Sequence, residues 1–316
     1  MDRGTGELIH RRNALVQGYT DDEMRRARKR GQLTSVCAGV YVETSAYDAL
    51  DAVGQHRLRA LAAASKTFNG AALSHVSAVI MHGFDTWNLP LRHIHFVVNR
   101  NYGGGTHRHK IVHPAAFDTH ETVVIDNQLV TSAARTIVDL SRTAGFEEAV
   151  VVGDHALRIG AVTPEELQAT LDSNSRRCGN PKARRAVSFM SGLSGSAGES
   201  RSRVSIHLGR LPAPTLQKAI YDVHGRLIGY VDFFWEEYGV VGEFDGLAKY
   251  GMTAGRTPKE MLREEKRRED ALREVGLVVV RWMWEDLGDP ERLRRKIEYA
   301  FEKAKSYRGA RPPRRH

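Results

Sequence analysis

The chain has 316 residues, 41% of them apolar and 27% charged, with 47 Lys and Arg against 38 Asp and Glu for a formal charge of +9. No apolar run approaches the roughly 20 residues that a bilayer crossing needs, and the polar start Met1–Glu7 contains no leader-like apolar stretch. The two cysteines, Cys37 and Cys178, are far apart and exclude a disulfide framework or a cysteine-rich zinc module, so a reduced, cytoplasmic setting is expected. The length predicts two or more domains, and the positive balance predicts a polyanionic partner such as a phosphate backbone, with no membrane partner.

Residues 1–45 read as a winged helix-turn-helix. Glu7 to Gln17 is helical in pattern and stops at Gly18. Thr20-Asp-Asp-Glu23 matches a capping box and opens a short helix that Gly31 closes. Strands at 32–36 and 40–43 around Ala38-Gly39 form the wing-like hairpin. The short helix carries Arg25, Arg26, Arg28, Lys29 and Arg30, a density that suits contact with the phosphates of double-stranded DNA. A solvated basic helix in a protein–protein module is the competing reading.

Residues 46–190 read as an α/β middle domain. A long helix is expected over 47–67, and a second from His75 to His82, capped by Ser74 and ended by Gly83. Strands are expected at 93–99, 109–113 and 121–125. Thr131 is the expected cap of a helix over 132–141, followed by helices over 147–158 and from Pro164, where Thr163 and Glu166 complete a cap. Ser191-Gly-Leu-Ser-Gly-Ser-Ala-Gly198 has the composition of a flexible linker and is the expected domain boundary.

Residues 199–305 show an α-β-β-β-α-β-α order: helix 199–208, strands 216–221, 227–235 and 239–245, helix 258–274, strand 277–283 and a last helix from Pro290. That order predicts a mixed sheet flanked by helices. A basic, Pro-containing tail over 306–316 is expected to be disordered.

The chemistry concentrates in Asp232-Phe-Phe-Trp-Glu-Glu-Tyr-Gly-Val-Val-Gly-Glu243-Phe-Asp245-Gly-Leu-Ala-Lys249. Aspartate is depleted in strands, and an uncompensated buried carboxylate costs several kcal/mol, so acids on apolar strands point to a bound divalent cation. Glu243 and Asp245, two apart, should share a sheet face, and the Glu236–Gly239 turn should bring Asp232 beside Glu243. Glu199 and Lys249 complete the candidate set. The competing reading pairs these acids with Arg281 and the arginines between Arg263 and Arg273.

Asp232, then Glu243-x-Asp245-Gly246, with Glu199 on a preceding helix, resembles the PD-(D/E)xK nuclease superfamily, and within it the very-short-patch-repair-like endonuclease domains. The resemblance covers about 199–304. It implies a restriction-endonuclease-like fold and Mg²⁺ or Mn²⁺ held by Asp232, Glu243 and Glu199. Asp245 stands where the superfamily has lysine; Lys249 is then the candidate amine, and Gln217 a group that orients phosphate or water. Residues 7–190 are similar to AbiEi-type antitoxins through Ser74-His75-Val-Ser-Ala78 with His82-Gly83, Thr131-Ser-Ala-Ala-Arg135-Thr-Ile-Val-Asp139, and Gly153-Asp154-His-Ala-Leu-Arg158. That likeness implies transcriptional autoregulation in a type IV toxin–antitoxin operon and a nucleotidyltransferase toxin as partner.

Other candidates are plainer. His93-x-His95, His107-x-His109 and His113 offer imidazoles for zinc or are surface histidines. Arg135 and Asp139, like Asp154 and Arg158, have the four-residue spacing of a local ion pair. The combined expectation is a multi-domain α+β, DNA-binding protein with a metal-dependent endonuclease domain; the alternative is a non-catalytic regulator or antitoxin.

Overall fold

The computed structural model describes residues 7–67, 70–100, 103–174, 177–246 and 258–309. Among these the chain is a multi-domain α+β protein with twelve α-helices and three mixed or antiparallel sheets. No described helix is long and apolar enough to cross a membrane. The chain divides into two compact units, Met1–Met190 and Ser191–His316.

The first unit opens with β1 (Ile9–His10), α1 (Arg11–Val16), α2 (Asp21–Lys29), β2 (Leu33–Cys37) and β3 (Val40–Glu43), the strands forming an antiparallel sheet in the order β1-β3-β2. The first helix is shorter than its sequence pattern, because Ile9 and His10 pair with Tyr41 and Val40 as an edge strand. The capping box is present: Thr20 Oγ1 accepts from Glu23 N at 3.2 Å and Glu23 Oε2 accepts from Thr20 N at 2.7 Å. Ala14, Met24 and Tyr41 form the small core of this segment, with Ile9 and Leu33 against it.

The helix expected over 47–67 is two, α3 (Thr44–Asp48) and α4 (Ala52–Ala64). Asp51 breaks it, since its Oδ1 accepts from Gly54 N at 2.7 Å and caps a fresh start. There follow β4 (Ala71–Leu73), α5 (His75–His82), β5 (Ile94–Val98), β6 (Gly105–Thr106), β7 (Lys110–Pro114), β8 (Thr122–Ile125) and β9 (Gln128–Thr131). The six strands lie in the order β6-β7-β5-β4-β9-β8, parallel at β5–β7 and β4–β9 and antiparallel elsewhere. Helices α6 (Ala133–Thr143), α7 (Phe146–Arg158), α8 (Pro164–Ser173) and α9 (Asn180–Phe189) complete the unit. Ser132, not Thr131, caps α6, accepting from Arg135 N at 3.4 Å, while Thr131 ends β9. The main core joins Val76, Val79 and Ile80 of α5 to Ile137 and Leu140 of α6 and Leu167 and Leu171 of α8.

The second unit runs α10 (Ala197–Leu208), β10 (Thr215–Tyr221), β11 (Leu227–Trp235), β12 (Val240–Phe244), α11 (Pro258–Glu274), β13 (Val278–Trp282) and α12 (Pro290–Gly309). Its sheet has the order β10-β11-β12-β13, antiparallel at the first two pairings and parallel at the last. Apolar residues cover both faces. Ile206, Phe233, Trp235, Val240, Phe244, Trp282 and Ile297 form one core; Ile220, Val231, Phe234, Val241 and Leu272 form the other. Ala197 and Gly198, expected in the linker, belong to α10. A Cβ at Gly198 would lie 2.0 Å from the Phe244 ring, so glycine here lets the helix approach the strand. The final helix runs through Gly309, well into the stretch expected to be disordered, and residues 310–316 lie outside the described ones.

Candidate functional site

Five cationic residues mark α2 and its C-cap. Met24 is buried, and Arg25, Arg26, Arg28, Lys29 and Arg30 are all exposed. Arg25 pairs with Asp22 one turn back, and the Arg28 guanidinium lies 5.5 Å from the centre of the Tyr41 ring. Met24 anchors one side of the helix, where Arg28 also lies over Tyr41, and the other cations lie around its exposed surface.

In the second unit Glu199 sits in the first turn of α10, buried, with Oε2 accepting from Gly195 N at 2.7 Å and Oε1 from Ser196 Oγ at 3.0 Å. Gln217 on β10 donates its Nε2 to Glu199 Oε2 at 2.9 Å and reaches Asp232 Oδ1 at 3.5 Å. Asp232 Oδ2 accepts from Phe244 N at 3.0 Å. Helix α10 and strands β10 and β11 therefore bring Glu199, Gln217 and Asp232 to one place.

Glu243 does not join them. It is buried on β12, its Oε2 accepts from Arg281 Nε at 3.1 Å, and its Oε1 lies 2.6 Å from Arg268 Nη2 without an aligned hydrogen-bond donor. The reason is the pleat. Glu243 follows Val241, which packs with Leu272 of α11, and alternation gives Glu243 the same face. On β11, Val231 and Phe234 both pack on that face although three residues apart, so alternation breaks between them and Asp232 leaves it. The break faces Gln217, whose φ is +48°. Burial opposes the charge of Arg281, but Glu243, Glu265 and Glu269 outweigh it and raise its pKa. The pairing of Glu243 with Arg281 and the α11 arginines is thus the competing reading from sequence. Asp245 lies just past β12, with its N–H donating to Trp282 O at 2.9 Å. Lys249 lies outside the described residues.

The histidines separate. His107 and His109 are exposed, whereas His95 and His113 are brought together with His75, which the sequence reading places at the start of a helix and in the AbiEi-like motif but not among the zinc candidates. Their ligand atoms all lie within 4.8 Å of one another, the sole such group of three or more His, Cys, Asp or Glu among the described residues. Burial, with mutual repulsion, pushes His95 down to about 3 and His75 well below the usual imidazole range; burial also lowers His113, against the pull of Asp139. Beside this cluster Arg135, fully buried, binds Asp139 (2.6 Å) and Glu121 (2.8 Å), and Arg142 binds Asp139 and, at 2.7 Å, Asn180. The spacing of Arg135 and Asp139 thus serves a structural ion pair, extended to α9. His95 and His113 were among the imidazoles that the sequence offers for zinc, whereas the part of His75 had no local signal, because it depends on β4 lying beside β5.

No family model matches the chain. Two uncharacterized proteins from strains of Mycobacterium tuberculosis, MT2308 and Rv2248, are each 28% identical to it over 290 residues, covering 88% of this chain and 95% of theirs. The crystal structure of the Rv2827c protein from Mycobacterium tuberculosis aligns with a TM-score of 0.39 at 14% identity, covering 69% of this chain and 85% of that one.

Proposed function

We propose that the chain is a DNA-binding protein whose second unit binds a divalent cation for hydrolysis of phosphodiester bonds. One observation carries the catalytic part: a carboxylate from α10 and one from β11 meet on a single amide, that of Gln217. One buried and one half-buried carboxylate suit a hard cation such as Mg²⁺ or Mn²⁺, so the residues fit the ion, with Asp232 and Glu199 as its holders. Bound there, the ion would polarise a phosphoryl oxygen or activate water. Gln217 would orient a phosphate or water nearby. Glu243 joins this set only if it leaves Arg268 and Arg281, and Lys249 or Asp245 would handle the attacking water. For grip, α1, α2 and the β2–β3 hairpin read as a winged helix-turn-helix with its cationic side turned to the duplex.

The clamp on Glu243 favours a second reading, in which the protein is a DNA-binding regulator of the AbiEi kind that does not cut. Supercoiled plasmid incubated with Mg²⁺ or Mn²⁺ separates the two. The enzyme nicks it, and Asp232→Asn abolishes nicking. Absence of divalent-dependent cleavage on duplex DNA, single-stranded DNA and RNA leaves the regulator.

A further inference from the structure

We propose that His75, His95 and His113 form a binding site for a borderline transition-metal dication, Zn²⁺ first among them. The site lies in the first unit and uses none of the acidic residues discussed above. Topology builds it. Strands β5 and β7 are parallel, with His95 opposite Ile111 and Val97 opposite His113, so the two histidines share one sheet face. Strand β4 pairs with β5 on its other edge and hands directly to α5, whose first residue is His75.

The geometry suits a small ion with nitrogen ligands. His95 Nδ1 lies 3.1 Å from His113 Nε2; two nitrogens on a tetrahedral zinc sit roughly 3.3 Å apart, from Zn–N bonds of about 2.0–2.1 Å. The His75 ring lies against that of His113, with centroids 3.8 Å and planes 18° apart, so His75 closes the cluster and, on binding, turns out of the stack to aim its lone pair at an ion. The other buried histidines behave differently. His56 reaches Leu91 O and Ser77 Oγ, each at 2.9 Å, and His82 reaches Thr131 O at 2.7 Å. In the triad, His95 and His113 turn ring nitrogens toward each other, while His75 Nδ1 meets Ser74 Oγ and its Nε2 is the nitrogen left for an ion. A neutral imidazole carries one N–H and one lone pair, and burial keeps all three rings in that neutral, ligating form.

Two further features fit. His75 holds φ at +47°, a conformation unusual for a residue with a side chain, and its Nδ1 lies 3.0 Å from Ser74 Oγ. A partner of that kind fixes the orientation of a ligating ring. Among the charges, Arg135 and Arg142 act against a cation near His75, Asp139 acts for one near His113, and the arginines are themselves paired with Asp139 and Glu121. Three imidazoles select zinc-like ions over Mg²⁺ or Ca²⁺, which take oxygen ligands.

The test is calorimetric titration of Zn²⁺ into the full chain after chelator treatment, with Co²⁺ absorption as a second readout. The expected result is one Zn²⁺ per chain, a nitrogen-ligated Co²⁺ band, and binding weakened more than about a hundredfold by His95→Gln or His113→Gln. The exposed controls His107→Gln and His109→Gln retain wild-type binding. Absence of uptake by the wild type, or insensitivity to both His95→Gln and His113→Gln, overturns the site. If the histidine variants fail to fold, the wild-type Co²⁺ spectrum decides: a tetrahedral nitrogen-ligated band supports the site and a pale all-oxygen spectrum overturns it. Plasmid nicking in the same preparations reports on the acidic set alone.

Discussion

Glu243 and the buried histidines show how single side chains set the behaviour of each unit. Arg281 is about a third exposed, at 32%, but its partner Glu243 is almost wholly enclosed, at 8%. Arg281→Leu should therefore cost about 1–3 kcal/mol, the usual penalty for leaving a buried acceptor without its donor. Urea denaturation measures this; a change below about 0.5 kcal/mol, the scale of an ordinary surface pair, would show that Arg268 alone holds the carboxylate. His56 and His95 give the metal-free first unit a pH dependence of definite sign. Burial lowers them to about 4 and about 3, below the 6.5 of an unfolded histidine. The unfolded chain then binds more protons in the window between, so stability is full above about pH 6.5 and falls as pH drops toward 4 and then 3. Each of these two histidines contributes about 1.4 kcal/mol per pH unit well inside its window. Thermal melts at pH 7 and pH 5 should show the loss, and His56→Gln should shrink it; a melting temperature flat over that range would contradict the burial argument.

At the scale of elements, caps and close approaches decide where helices start and how tightly they pack. Thr20→Ala removes the side-chain half of the α2 capping box and should cost about 1 kcal/mol, read as a lower denaturation midpoint. Gly198→Ala drives a methyl against the Phe244 ring and should destabilise the second unit by about 1–3 kcal/mol; a neutral substitution would show that α10 can shift on its strand. The elements of the second unit were legible because each strand there is a run of five to nine residues bounded by Gly, Pro or acidic turns. The first unit was less so. β4 and β9 have three and four residues, too short for alternation to register, and Asp51 splits a helix whose apolar period continues across the break. The acidic set was half legible: Glu199, Gln217 and Asp232 meet, but alternation read from sequence could not anticipate the break in β11 that parts Asp232 from Glu243. The histidine cluster was less legible still. His95 and His113 stand out as strand residues, but His75 reaches them only through the β4–β5 pairing.

For the whole molecule, the two compact units divide at Met190/Ser191, so the cationic helix α2 and the acidic set fall in different units of one chain. In the functional reading proposed here one unit grips a duplex and the other acts on its backbone, and both the enzyme and the regulator require the grip. The most direct test is the salt dependence of duplex binding, followed by fluorescence anisotropy for the wild type and an Arg25→Ala, Arg26→Ala, Arg28→Ala triple variant. Each phosphate neutralised contributes about 0.9 to the slope of log affinity against log salt. The variant should therefore bind more weakly and show a slope smaller by roughly two to three. Equal affinities and equal slopes in the two proteins would contradict the DNA-binding role of α2.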